Sequence, residues 1–372
     1  MKVVCHVQLF SELSGVQNVS LDEFRVSLER GERIQYHLIC KEDGEFPRAA
    51  KALGVKVHYV PSLIRELSLK SDLISFFAIY KILRKIKCCA VHTHSSKTGF
   101  LGRMAARMAG VQRVVHTVHG FGFPAAKNSL SRLIFVFVEF FAARITDATI
   151  VMNMSDYNFS YRRLLINRRK LHLISNSCRY DLLTITDEPI KPDLNIAFVG
   201  RLTKQKNPSL AIDAFEKLLQ FEKFKNARLF VIGDGDLSPL LMEKVVHLKI
   251  DGSVVFCGWS SEVSDILQTC QILLASSDWE GFPLVVAEAA SVGCIPLMTN
   301  VSGYRELHEH HRIGFLANKE DYGSAFVRLC TYIVDDQNFY RAAKYNLTHG
   351  LKSLPSSFQR FNWVVKLYET DH

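Results

Sequence analysis

The feature that most constrains this chain is a rhythm that runs twice: short apolar, β-branched runs alternate with stretches of helical periodicity, break once, and begin again. Such alternation implies parallel strands, because a parallel pair needs a long crossover and a helix is the usual one. In the first half the strand candidates are 3–9, 36–40, 56–59, 90–93, 113–118, 148–152 and 171–174, with helices predicted over 22–29, 72–86 and 99–109. Around Asp187-Glu188-Pro189-Ile190-Lys191-Pro192-Asp193, charge and two prolines interrupt the pattern, as an exposed connector does. It resumes with strands at 195–199, 227–232, 253–257, 272–275, 295–299 and 314–316, and with helices starting near Pro208, Ser238, Ser261 and Pro283. The spacing predicts an α/β protein of two Rossmann-like, doubly wound domains, residues 1–187 and 188–355, with an amphipathic helix within 356–372 packing back toward the first. Open sheets of this kind bind ligands beyond the carboxyl ends of their strands, so the two domains are expected to face an interdomain cleft.

Composition narrows the class. At 48% hydrophobic and 22% charged residues the chain is neither disordered nor fibrous. Nine scattered cysteines with no Cys-x-x-Cys spacing read as reduced core thiols of a cytoplasmic protein. The opening Met1-Lys2-Val3-Val4-Cys5-His6-Val7 runs directly into a strand and lacks the apolar core of a signal peptide. The longest apolar stretch, 133–143, is interrupted by Glu139 and falls well short of the roughly 20 residues that span a bilayer. It reads either as a buried helix or as one whose apolar face touches a membrane surface. Residues 1–190 carry 27 of the 46 Lys and Arg but only 16 of the 37 Asp and Glu, a balance of +11 against −2 for the remainder. Basic clusters at 81–87 and 162–170 supply much of this excess. They suit an anionic membrane surface or a pyrophosphate-bearing acceptor, or they are solvated helix faces. Nucleic-acid binding is the reading from another class, and the scattered charge, without a recognisable reading module, argues against it.

Two motifs at predicted strand ends carry chemistry. In Phe198-Val199-Gly200-Arg201-Leu202-Thr203-Lys204-Gln205-Lys206-Asn207-Pro208, Gly200 permits a tight turn, Arg201 and Lys206 bring two cations near a helix start, and Pro208 suits its first turn. Cations at a helix N-terminus form a phosphate site, whereas the plain alternative is an exposed basic loop. In Glu280-Gly281-Phe282-Pro283-Leu284-Val285-Val286-Ala287-Glu288, Glu280 is expected at a strand end and Glu288 about two turns inside the helix that Pro283 opens, and carboxylates accept hydrogen bonds from sugar hydroxyls.

Together, G-R-L-x3-K and E-G-F-P-x4-E resemble the retaining family-four glycosyltransferases of GT-B architecture. Val231-Ile232-Gly233-Asp234-Gly235, Phe256-Cys257-Gly258-Trp259 and Ser302-Gly303-Tyr304-Arg305-Glu306 strengthen the match. The resemblance implies a nucleotide-sugar donor, a UDP-sugar foremost, with Arg201 and Lys206 holding its diphosphate. It implies Glu280 on the transferred sugar and Glu288 on the ribose, with Gly200, Gly233, Gly281, Phe282 and Leu284 lining the donor. His119, in Val115-His116-Thr117-Val118-His119-Gly120-Phe121-Gly122, resembles the family's histidine that contacts the donor sugar; a structural histidine is the plain alternative. Val91-His92-Thr93-His94-Ser95-Ser96-Lys97-Thr98-Gly99 is expected to follow a strand in the same way. The style of both segments is similar to enzymes of bacterial O-antigen and capsule assembly, which implies a saccharide or polyprenyl-diphosphate-linked acceptor and a peripheral place on the inner membrane. Near the N-terminus, Gly15 stands where the family has two glycines, so Ser14 is a departure; Asn176-Ser177 likewise replaces Asn-Gly.

No metal or other cofactor is expected, since two cations and a helix terminus can stabilise a departing diphosphate. Asp234-Gly235-Asp236 mimics a metal-binding pair but suits a turn, and His308, His310 and His311 read as solvated loop residues. Sugar-nucleotide epimerisation or phosphorolysis on the same fold is the competing enzymatic reading.

Overall fold

The computed structural model describes residues 2–64, 66, 68–121, 128–177, 192–260 and 262–369. The chain divides into two compact units, Met1–Ser177 with Pro355–His372, and Cys178–Leu354. Most of the predicted connector around 187–193, together with Gly122 and Ser261, lies outside the described residues.

The first unit is built on β1 (Lys2–Val7), β2 (Ile34–Cys40), β3 (Lys56–Tyr59), β4 (Ala90–His94), β5 (Arg113–Thr117), β6 (Ala148–Val151) and β7 (Leu171–Leu173). They form one parallel sheet in the order β3-β2-β1-β4-β5-β6-β7. The second unit repeats the plan with β8 (Asn195–Val199), β9 (Arg228–Ile232), β10 (Val254–Gly258), β11 (Ile272–Ala275), β12 (Ile295–Thr299) and β13 (Phe315–Ala317), ordered β10-β9-β8-β11-β12-β13. Winding reverses between β1 and β4 in one sheet and between β8 and β11 in the other. Crossovers therefore leave to opposite faces at these points and open a crevice above the strand ends, where α/β sheets take their ligands.

Alternate residues of β1 face opposite layers, as the period of a strand requires. Val4 joins Phe24, Leu38, Phe46, Ala90 and Ile150 on one side, while Cys5 and Val7 join Ile39, Ile79, Val91 and Val114 on the other. The first layer is completed from the far end of the chain. Helix Ser357–Lys366, opened by a reciprocal capping box of Ser356 and Gln359, packs on helix Gly15–Glu29 and buries Phe361 and Val364, with Tyr368 just beyond it. Ten residues is shorter than the roughly 12–15 that an isolated helix needs in water, so this burial is what holds the helix.

Several elements differ from their sequence patterns. Helix Gly15–Glu29 begins a full turn or more before residue 22, which makes Gly15 its first helical residue and not a turn residue. Helix Ser96–Met108 likewise starts early, and His92 and His94 lie inside β4, with only the residues after them in the turn. His308, His310 and His311 belong to helix Ser302–His311 instead of a loop. Pro283 is the residue before helix Leu284–Ser291, which places Glu288 little more than one turn in.

The apolar stretch at 133–143 lies in helix Ser129–Arg144, but its large side chains point outward: Leu133, Ile134, Phe137 and Phe141 are each more than half exposed. Its buried residues are Ala142, Ala143 and Glu139, with Val136 and Phe140 packed partly buried against the core. Glu139 is there because Arg103 of the neighbouring helix, itself 1% exposed, meets it at 2.8 Å and also donates to the Gly99 carbonyl. A buried ion pair is costly to break from one side, since the survivor is left desolvated. Glu139→Leu should therefore destabilise the protein by about 3–5 kcal/mol. Adding Arg103→Met should restore most of that loss, a comparison read from urea unfolding of the two variants.

Candidate active site

The second unit brings most of the sequence-predicted site residues together at its switch point. Gly200 follows β8 and the 276–283 loop follows β11, the two strands that flank the reversal. These loops are stitched to one another by backbone and side chain alike. The amide of Asp278 donates to the Gln205 carbonyl at 2.8 Å, and the Gln205 side chain donates to the Trp279 carbonyl at 3.1 Å. Asn207, in a left-handed conformation, caps helix Pro208–Leu219 through Leu210 and donates to Asp278 at 3.0 Å. The result is a short ion pair: Lys206 Nζ lies 2.5 Å from Glu280 Oε1, with 20% and 9% of the two side chains exposed. Ser277 Oγ donates to the same carboxylate oxygen at 2.9 Å and is itself bonded to the buried Tyr304 hydroxyl.

Two glycines make the approach of these loops possible. A Cβ on Gly233, whose φ is +132°, would stand 2.1 Å from the Gly200 carbonyl oxygen, so the turns after β8 and β9 can touch only without side chains. A Cβ on Gly303 would meet the Gly281 and Glu280 carbonyls at 2.6 and 2.7 Å, so glycine lets helix Ser302–His311 seat directly on the Glu280 loop. Tyr304, one residue on, then reaches Ser277.

Arg201 stands apart from this network. It is exposed beside Gly200, and among the described residues its guanidinium has no partner. Gly281 and Phe282 are buried, Leu284 is half-buried at the start of its helix, and Glu288 is exposed one turn later. Protein packed around Glu288 lifts its carboxyl above the ordinary range, but its accessible surface leaves the group able to meet a ligand. Asp234 is a turn residue: its carboxylate accepts from the Gly235 amide and the Ser238 hydroxyl, and these bonds hold its pKa low.

In the first unit the remaining predicted residues lie near the β1/β4 reversal. Gly15 opens its helix after Ser14, whose hydroxyl bonds Gln17; Gln17 in turn donates to Gln8, and Gln8 to Ser20, a polar network just beyond β1. His119 follows β5 and is half-buried, with Nε2 2.9 Å from Nδ1 of His94. Burial first, and then the Arg360 cation, push its pKa down to about 3, so its ring is neutral at physiological pH. His94 continues to His6 at 3.1 Å, and His6 lies 3.3 Å from Glu23. Burial would raise the Glu23 carboxyl, but His6, Tyr368 and Arg360 outweigh it and hold the group below its usual value. His6, His92 and His94 lie close enough to surround a metal ion, yet every one of their ring nitrogens already faces a protein partner.

Comparison with known proteins now becomes specific. A family model described as "Glycosyl transferases group 1" matches residues 186–349, and one described as "Glycosyltransferase Family 4" matches residues 15–180. The chain is 35% identical over 347 residues to the UDP-Gal:alpha-D-GlcNAc-diphosphoundecaprenol alpha-1,3-galactosyltransferase of Escherichia coli, an alignment covering 90% of this chain and 88% of that one. It belongs to the family-four glycosyltransferases. A second relative, an uncharacterized 41.2 kDa protein in the cps region of Klebsiella pneumoniae, is 28% identical over 79% of this chain and 82% of its own. Among solved structures, Anabaena HepE in complex with UDP-glucose matches with a TM-score of 0.80 at 15% identity, covering 98% of this chain and 99% of that one. The apo lipopolysaccharide outer core galactosyltransferase WaaB matches at 0.72 and 18% identity over 98% and 99%. The fold of this glycosyltransferase is thus the two-sheet GT-B architecture.

The glycosyltransferase motifs made Lys206 and Glu280 visible in the sequence, but not the residues that fix them. Tyr304 stood in the Ser302–Glu306 segment and Ser277 three residues before Glu280, both without an assigned role, and Glu23, His6 and Tyr368 lie far from any of these motifs. Period-two spacing of His92 and His94 within a strand, with His6 on a neighbouring one, was the available signal for the last group. Lys206→Ala leaves Glu280 desolvated beside Ser277 alone and should cost about 3 kcal/mol. In a Glu280→Gln background the same change should cost far less, which a double-mutant cycle by denaturant unfolding measures.

Proposed function

We propose that this glycosyltransferase moves a hexosyl group, galactosyl foremost, from a UDP-sugar onto a polyprenyl-diphosphate-linked saccharide, with retention at the anomeric carbon, in assembly of an O-antigen or capsule. The observation that carries the reading is the pair of interlocked loops above β8 and β11, which hold the Lys206–Glu280 pair and, next to Gly200, an exposed Arg201 that has no partner among the described residues. The E. coli relative, which by its name uses UDP-galactose and a diphosphoundecaprenol-linked acceptor, supports the choice of substrates.

In this mechanism the donor diphosphate is held by Arg201 and Lys206. The bond from the anomeric carbon to the diphosphate oxygen breaks, and the acceptor oxygen bonds that carbon on the face the diphosphate leaves. The acceptor's hydroxyl proton passes to the departing phosphate oxygen, so no protein nucleophile is needed. Charge that develops on the diphosphate is met by cations already in place, the electrostatic stabilisation that costs no reorganisation at the moment of reaction. Glu280 accepts hydrogen bonds from the transferred sugar and Glu288 from the ribose, with Gly200, Gly233, Gly281, Phe282 and Leu284 shaping the donor site. From the first unit, Gly15 approaches the phosphates and His119 the sugar. Since the two side-chain cations supply the positive charge, no metal ion enters the scheme.

The lipid-linked acceptor places the enzyme at the cytoplasmic face of the membrane. Supporting this, helix Ser129–Arg144 exposes Leu130, Leu133, Ile134, Phe137 and Phe141 in one stripe, and helix Leu69–Ile86 exposes Leu69, Leu73, Ile74 and Phe77. Both helices pack on Ser96–Met108, which adds the exposed Met104 and Met108. Exposed Lys70, Lys81, Arg84 and Lys85 lie on the second of these helices, the charge that anionic headgroups attract. No helix among the described residues is long and apolar enough to cross a membrane.

Arg201→Ala should lower kcat by about 10²- to 10³-fold, as loss of one preorganised charge does; a near-normal rate with a UDP-sugar and extracted lipid-linked acceptor would remove Arg201 from the mechanism. The same assay after exhaustive EDTA treatment should retain its rate. Leu133→Glu combined with Phe137→Glu should abolish co-sedimentation with phosphatidylglycerol vesicles at low salt while leaving the thermal midpoint unchanged.

A further inference from the structure

Four titratable side chains in the first unit stand in a line that ends at His119. Glu23 is buried in helix Gly15–Glu29, His6 is on β1, His94 closes β4, and His119 follows β5. Successive contacts measure 3.3 Å from Glu23 to His6 Nε2, 3.1 Å from His6 Nδ1 to His94 Nε2, and 2.9 Å from His94 Nδ1 to His119 Nε2. The line runs from the helix-covered core outward to the carboxyl ends of β4 and β5.

With His6 neutral, one arrangement of protons satisfies it; a His6 cation would donate from both nitrogens and reverse the tautomers of His94 and His119. An ionised carboxylate accepts hydrogen bonds and cannot donate, so His6 must carry its proton on Nε2. A neutral His6 then offers the Nδ1 lone pair, which His94 meets with its own Nε2–H. His94 in turn offers Nδ1 to the Nε2–H of His119. The side branch agrees: the Tyr368 hydroxyl donates to Glu23 at 2.6 Å, so His92 Nδ1 donates to Tyr368 and His92 Nε2 accepts from Thr117, both at 2.6 Å. Burial keeps His92, His94 and His119 neutral, and the Arg360 cation acts in the same direction on His92 and His119. Reversing the line around a neutral His6 would aim a ring lone pair at the buried Glu23 carboxylate.

We propose that Glu23, acting through a neutral His6 and through His94, locks His119 as its Nε2–H tautomer, so that Nδ1 is presented as a hydrogen-bond acceptor to a hydroxyl of the transferred sugar. The tautomer of a histidine is set by the bond its other nitrogen makes, and here that bond is determined three residues away. Among the described residues His119 Nδ1 has no partner, which leaves it available. Glu23, His6 and His94 are positioning residues, and their effect rests on the reading that His119 meets the donor sugar.

The test is a double-mutant cycle on donor turnover by the full-length enzyme. Glu23→Gln, which removes the charge but not the shape, should lower kcat/KM for the UDP-sugar about tenfold with the acceptor KM unchanged. In a His119→Ala background the same substitution should have no further effect. Additive losses overturn the relay. A His119→Ala enzyme with wild-type turnover instead overturns the role of His119 itself, so the two failures are distinct. Should Glu23→Gln not fold, His94 decides the matter. His94→Leu cuts the line, whereas His94→Gln can accept from His119 through its amide oxygen and donate to His6 through its amide nitrogen. Only the leucine variant should lose turnover, and only in it should the 15N ring signals of His119 show a mixture of tautomers. Equal behaviour of the two variants, or a stoichiometric metal ion in the purified enzyme that is lost with His94→Leu, would overturn the proposal.

Discussion

Reversal of winding at one point in each sheet is the constraint on which the rest of this molecule depends. Where successive crossovers leave on the same side, their helices cover the strand ends; where they part, the ends stay open. β1 and β4 part in the first unit, and β8 and β11 in the second. The polar and charged residues of interest stand on or directly after those strands or their neighbours: His6, His94 and His119 in one, Gly200, Lys206 and Glu280 in the other. Topology therefore selects the location, and the residues at that location decide the chemistry.

The two switch points solve the problem of buried polarity in opposite ways. At β8/β11 a cation and an anion are brought within 2.5 Å, so each cancels the other's desolvation while Arg201 remains unspent. At β1/β4 the buried Glu23 carboxylate meets His6, and hydrogen bonds continue from that ring through His94 to His119. A pair of opposite charges gives a strong local field, suited to a ligand that is itself highly charged.

Legibility in the sequence follows the range of the interactions involved. Strands of both sheets were readable because period and length are local properties, and Lys206 and Glu280 were readable because each sits in a short motif with glycine or proline beside it. Helix starts were less so: Gly15 and Ser96 begin helices within polar stretches whose apolar periodicity shows only a turn later. The outward face of Ser129–Arg144 was undecidable locally, because its orientation depends on Arg103, thirty-six residues away, donating to Glu139. Glu23 was invisible for the same reason. On its helix it looks like any surface carboxylate, and only the packing of three strands and the final segment over it turns it into a buried charge.

That final segment also shows why the first unit cannot be equated with the first half of the chain. The family-four match ends at residue 180, yet Glu23 is held by Tyr368 and Arg360, from the last 13 residues of a 372-residue sequence. Burial among Phe24, Tyr36 and Val364 favours the protonated carboxyl, and His6 is the first group that opposes it. With the Tyr368 hydroxyl at 2.6 Å and the Arg360 guanidinium nearby, the charged form prevails, and only the charged form gives the histidines their direction. The orientation of a ring at the end of β5 is thereby tied to the packing of the chain's last helix.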